Sequence, residues 1–333
     1  MKKHNLIYPI IALIACMTTG CEVDIKDSGV DDIHELTVNA LVTPDTTLIV
    51  TITAAKSYKD FTIDEYIDFA DYERNKYDDN IAQFTAVSKA TVTATVNGSD
   101  VYTLTYDKNH FNYRCNYRPK EGDEVKIQAS ADGYTAVEAH TTVPRHQTLE
   151  IVSCEKFYDP MSYENDNMTA QDTIARITLR ITDPANTTDY YRLKVRSAGI
   201  LNEIYIFKDS FSSDDVLFKN VSLHKGYQGW SAGMSNVFND NLINGKTYEF
   251  TVESRLRETR PVTEEGMVDP ENKWIVVELQ SISAEFFNYL NSVWLYRITD
   301  RDAYSEAVQI YSNVTDGYGI VGALATEKHI IRF

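Results

Sequence analysis

The run Thr91-Val92-Thr93-Ala94-Thr95-Val96, followed by Asn97-Gly98-Ser99-Asp100 and then Val101-Tyr102-Thr103-Leu104-Thr105-Tyr106, constrains this chain more than any other feature. Alternating polarity puts one set of side chains on each face of an extended strand. Asn-Gly supplies two residues that tolerate positive φ in the tight turn between strands. The outcome is a hairpin with one buried face. The same alternation runs through Leu36, Val38, Ala40 and Val42, then through Leu48, Val50 and Ile52 after a Pro44-Asp45-Thr46 turn. Segments 125–129 and 135–139 flank Asp132-Gly133 and form another pair. Short strands at this spacing predict an Ig-like antiparallel β-sandwich over residues 35–147. Between its second and third strands, residues 61–80 hold seven acids and five aromatics, too long for a turn and readable as a partly helical insertion.

Thr142-Val143-Pro144-Arg145-His146-Gln147 ends the alternation, which places a domain boundary at 147/148. Beyond it, segments 174–181, 190–195, 204–207, 247–252 and 274–279 read as strands of a second β-rich domain, 148–333. Ser283 is placed to cap a helix over about 283–298, with Glu285 in its first turn. Phe286, Tyr289, Leu290, Val293 and Trp294 follow at i, i+3, i+4, i+7 and i+8, a stripe that should pack on a sheet. The expected class is therefore mostly β: two β-sandwich-like domains, with one amphipathic helix near the C-terminus packed on the second.

At the N-terminus, Lys2 and Lys3 precede an apolar run of about a dozen residues that ends in Thr18-Thr19-Gly20-Cys21. A charged start, a short apolar stretch and a small residue before the cut make a secretory signal, 1–20. The run is shorter than the roughly 20 residues a spanning helix needs. The terminal cysteine makes it a lipoprotein signal, because its thiol takes the diacylglycerol before cleavage exposes its amine; the mature protein would carry palmitate-type acyl chains on Cys21. Leu13-Ile14-Ala15-Cys16 is a second candidate, ranked lower because cleavage there leaves a very short apolar run. After Cys21 the acidic stretch 21–34 lacks periodicity and reads as a solvated tether.

Loss of Lys2 and Lys3 with the signal takes the formal charge from −17 to −19. A surface of that sign repels phosphate backbones and argues against nucleic acid as a partner. Cys115 and Cys154 are the remaining cysteines, too few for a disulfide framework or a zinc cluster. Whether they pair stays open, since sequence fixes no Cα separation.

Gly229-Trp230-Ser231-Ala232-Gly233 matches the G-x-S-x-G elbow of serine hydrolases letter for letter. That elbow works at a strand-to-helix turn in a parallel α/β sheet, and residues 234–240 carry no helical stripe. Only His329 could follow as the base, within what reads as a terminal strand. The pairs Asp78-Asp79, Asp214-Asp215 and Glu264-Glu265 fix no carboxyl separation of the kind a glycosidase needs. Segment 209–215 lacks the spaced ligands and glycine of a calcium loop, and no histidine pair has zinc spacing. The expectation is no enzyme, no cofactor and no metal. Candidate contacts for a partner or a glycan are exposed aromatics: Tyr66, Tyr72 and Tyr77 in the insertion, and Tyr227 and Trp230 in segment 224–230.

The order of several pieces resembles the domain of unknown function 4249 family of Bacteroidetes lipoproteins. It rests on the acidic start after Cys21, the 90–106 hairpin, Ala131-Asp132-Gly133-Tyr134 with Thr142-Val143-Pro144, and Asp183-Pro184 followed by Tyr190-Tyr191-Arg192. Phe238-Asn239-Asp240, Asn244-Gly245-Lys246, segment 277–282 and Gly317-Tyr318-Gly319 complete it. The resemblance covers nearly the whole mature chain; the 61–80 insertion departs from it. It implies a lipid-anchored protein on the outer membrane, facing the cell exterior and working beside a TonB-dependent receptor in capturing or admitting a nutrient. The rival readings are a structural or adhesive surface lipoprotein, and a carbohydrate-active hydrolase.

Overall fold

The computed structural model describes residues 35–54, 85–158, 173–201, 204–209, 211–219, 235–256, 262–263, 266–267, 271–299, 306 and 308–332. The expected signal, tether and insertion lie outside these residues. The first strands are β1 (Leu36–Val42), β2 (Ile49–Ala54), β3 (Thr91–Val96), β4 (Asp100–Asp107), β5 (Asn112–Arg114), β6 (Glu124–Ser130) and β7 (Val137–Thr142). They pair in the order β1-β2-β5-β4-β3-β6-β7, with β4 bonded to both β3 and β5. The Asn97-Gly98 turn has φ of 50° and 71°, as a tight hairpin between right-twisted strands requires. Leu36, Val38, Val42, Leu48, Val50, Ile52, Val92, Val125 and Ile127 are buried in one core, so the period-two reading of these strands holds residue by residue.

After residue 148 come β8 (Leu149–Tyr158), β9 (Thr173–Thr182), β10 (Tyr190–Leu201), β11 (Ile204–Asp209), β12 (Val237–Asn239) and β13 (Thr247–Leu256). The short β14 (Val262–Thr263) and β15 (Gly266–Met267) precede β16 (Glu271–Ile282), helix α1 (Ala284–Thr299) and β17 (Tyr318–Arg332). A three-stranded sheet, β13-β9-β8, faces β10, β16 and the second half of β17 across a core of Ile177, Leu179, Leu193, Phe250, Val277 and Leu279. The outer face of the three-stranded sheet is a charged ladder in which Arg180 bridges Glu150 and Glu249, and Arg176 pairs with Glu253. Exposed pairs of this kind contribute little each, and their effect is to keep that face wet.

The chain then crosses the expected 147/148 boundary a second time. Tyr318 to Ala323 of β17 pair in parallel with β1, and Leu324 to Arg332 pair antiparallel with β16. One fifteen-residue strand is thus shared by both units, and the strands join into a single twelve-stranded sheet. Just before β17, Thr315 exchanges backbone hydrogen bonds with Glu138 of β7, which closes the first unit into a ring. Val314, Val321 and Ala323 lie in the first core as a result.

Helix α1 begins where the sequence places it. The Ser283 hydroxyl oxygen accepts from the Phe286 N–H at 3.3 Å, an N-terminal cap. The helix packs on the large sheet, and its first turn sits over the seam between the units: Glu285 accepts from the Thr141 hydroxyl of β7 at 3.2 Å, while Phe286 lies on Gly322. Its best-buried side chains are Phe286 and Phe287, the latter 4.6 Å from the Tyr190 ring and outside the expected stripe. Val293 and Trp294 are only half-buried. Among the described residues no helix is long and apolar enough to cross a membrane.

Candidate functional site

Four of the sequence pieces, two from residues 183–191 and two from residues 240–245, converge on one node at an end of the second unit. Asp183-Pro184 opens the turn between β9 and β10, and Tyr190-Tyr191 begins β10. Asp240 starts a 3-10 turn after β12, and Asn244-Gly245 leads into β13. Tyr191, 1% exposed, donates its hydroxyl to Asp183 Oδ1 at 2.5 Å, and the Gly245 N–H donates to Asp183 Oδ2 at 3.3 Å. Asp240 Oδ2 accepts from the Asp189 N–H at 3.1 Å and from the Asn244 amide at 2.9 Å; the same amide nitrogen also donates to the Thr187 carbonyl at 2.7 Å. The Tyr191 and Phe238 rings lie 5.3 Å apart.

One carboxylate oxygen from each of Asp183, Asp189 and Asp240 falls within 4.8 Å of the others. Hard cations such as calcium take oxygen ligands of this type. Here, though, at least one oxygen of each carboxylate is already engaged: Asp183 by Tyr191 and Gly245, Asp240 by Asp189 and Asn244, Asp189 by the Thr187 hydroxyl at 2.5 Å. Burial pushes the Asp183 carboxyl above the usual range; hydrogen bonds from Tyr191 and Gly245 oppose this, and the charges of Asp189 and Asp240 add to it. Burial likewise raises the Tyr191 phenol, reinforced by its bond to Asp183. What this chemistry does is lock two turns together. Tyr191→Phe removes the donor to a buried carboxyl and is expected to cost about 2 kcal/mol, read as a lowered urea midpoint with an unchanged slope.

The aromatics expected to meet a partner or glycan, Tyr66, Tyr72, Tyr77, Tyr227 and Trp230, lie outside the described residues, as do Cys21 and Ser231. Of the acidic pairs, Asp215 serves its own loop, accepting from the Leu217 N–H at 3.0 Å and from the Tyr248 hydroxyl at 3.1 Å. His329 sits on β17 opposite Val277, its Nε2 3.0 Å from Glu327, whose other oxygen lies 2.8 Å from His146 Nε2. The open question of Cys115 and Cys154 is settled by packing. Both are free thiols, Cys115 against the first core and Cys154 against the second, and burial pushes both thiols up. A raised thiol is less ionised at neutral pH than an exposed one, and so a weaker nucleophile.

The Asp183 node escaped sequence reading because its three aspartates sit at 183, 189 and 240, with no spacing of a known ligand set. The available signal was Asp-Pro and Asn-Gly at two turns, which mark where chains reverse but not which turns meet. No curated protein matches the chain. The model of one family, described as a domain of unknown function (DUF4249), matches residues 18–330, and the chain belongs to that family.

Proposed function

We propose that this protein is a lipoprotein held on the outer membrane by lipid at Cys21, facing the cell exterior, and that it serves a TonB-dependent receptor as an accessory or ligand-capture module. The observation that carries the lipid anchor is the N-terminal sequence: two lysines, a short apolar run and Thr18-Thr19-Gly20-Cys21, then an acidic tether up to the first strand; the receptor as neighbour rests on what the family resemblance implies. About a dozen extended residues at a little over 3 Å each reach roughly 40 Å, enough to lay a domain over a neighbouring barrel. Confinement to a membrane raises the effective concentration of any membrane-bound partner, so a modest interface suffices. The β-sheet scaffold supports a binding role in the sense that loops between rigid strands can carry contacts.

Cys21→Ala is expected to leave an unprocessed precursor, to abolish labelling by a fatty-acid probe, and to lose recovery of a large β-barrel receptor after gentle detergent extraction. Normal labelling of Cys21→Ala, with loss in Cys16→Ala, would move the anchor to Cys16. Repeated isolation of the lipidated wild-type protein without any barrel, under conditions that keep other lipoprotein and receptor pairs together, would leave a free-standing surface protein instead.

A further inference from the structure

Strand β17 stands in all three hydrophobic clusters. Val321 and Ala323 belong to the first core, Ile331 packs on the second, and Ile320 and Leu324 meet Phe286 and Phe287 under helix α1. Without this strand, six residues of β1 lose their parallel partners and nine of β16 lose their antiparallel ones. The ring of the first unit would also open between β1 and β7, because Thr315 makes its closing bridge. Each contact between β1 and β17 spans about 280 residues of chain, from Thr37 to Tyr318. Closing so long a loop costs more chain entropy than closing a local hairpin, and the rest of the fold must offset that cost.

We propose that β17 couples the two units into a single cooperative body, so that neither completes its fold before residues 314–332 are in place. This coupling does not depend on where the protein is anchored or what it binds. Its consequence is that damage in one unit is felt in strands of the other that never touch the damaged site. Strands β3 and β6 in the first unit, and β9 and β13 in the second, make no ladder with β17 and are the places to look.

The experiment is native-state hydrogen exchange of the whole chain, followed by mass spectrometry in rising sub-denaturing urea. Val321→Ala truncates a fully buried side chain in the first core, and Leu193→Ala one in the second. Each is expected to lower the protection of the slowest amides of β3, β6, β9 and β13 together, by one common factor: roughly five to a hundred for Val321→Ala and at least roughly thirty for Leu193→Ala. Faster exchange confined to β3 and β6 in Val321→Ala, or to β9 and β13 in Leu193→Ala, overturns the proposal. Should either variant fail to fold, the wild-type chain decides by itself. Convergence of all four strands on one opening free energy and one urea slope supports the coupling, and two separate isotherms overturn it.

Discussion

Gly319→Ala is expected to lower stability by at least about 4 kcal/mol, a large share of the roughly 5–15 kcal/mol that holds a typical domain folded. Two independent costs add. The residue sits at φ of +110°, where a Cβ is disfavoured, and an ideal Cβ there would lie 2.1 Å from the Val38 carbonyl oxygen. That oxygen cannot retreat, because Val38 is held between β17 on one side and Ile52 of β2 on the other. Gly98→Ala separates the two costs. Its φ is +71°, but nothing lies within 4 Å of the added carbon, so only the backbone penalty of about 1–2 kcal/mol remains. Urea denaturation of both variants beside the wild type measures the difference. A Gly319→Ala protein within about 1 kcal/mol of wild type would mean that the β1 and β17 backbones are not packed as closely as described.

Local pattern carried much of this fold. The alternation of Leu36 to Val42 and of Thr91 to Val96, the Asn97-Gly98 turn, and the Ser283 cap each act within a few residues, where propensity and burial agree. The parallel pairing of β1 with β17 is different in kind. Nothing in Leu36 to Val42 says that its second neighbour begins at Tyr318, because a strand with one buried face accepts any partner of matching period. Phe287 shows the limit on a smaller scale. It falls off the helical stripe, yet it is buried because Tyr190 of β10 reaches up to meet it at the edge of the helix. The Asp183 node was present in the sequence as four fragments, and only the return of the chain after β12 brings Asp240 and Asn244 to the β9–β10 turn.

The Asp123 carboxylate is expected to matter more than its position between Gly122 and β6 suggests. It is 7% exposed and accepts from three donors: the Tyr117 hydroxyl, the Asn97 amide at 2.9 Å and the Lys120 N–H at 2.7 Å. Those partners come from the β3–β4 hairpin turn and from the loop ahead of β6, so one side chain fixes both. Asp123→Ala strands donors at a largely buried site and is expected to cost about 3 kcal/mol near neutral pH. The cost should depend on pH. Burial alone would raise the Asp123 carboxyl, but hydrogen bonds from Tyr117, Asn97 and Lys120 outweigh it and hold the group below the ordinary value of 3.8. A carboxyl depressed in the folded state binds fewer protons than in the unfolded chain. Its contribution is therefore complete above 3.8 and is lost as the pH falls through the lower folded value. Asp183 has the opposite sign, since it is raised on folding and its contribution declines as the pH climbs from 3.8 through its folded value. The stability difference between wild type and Asp123→Ala should accordingly be flat from pH 5 to 7 and shrink toward pH 2, while Asp183→Asn shifts the curve on the higher side of 3.8. Urea midpoints of the three proteins across that range make the comparison. A difference for Asp123→Ala that stays constant down to pH 2 would show that the carboxylate charge contributes nothing beyond shape.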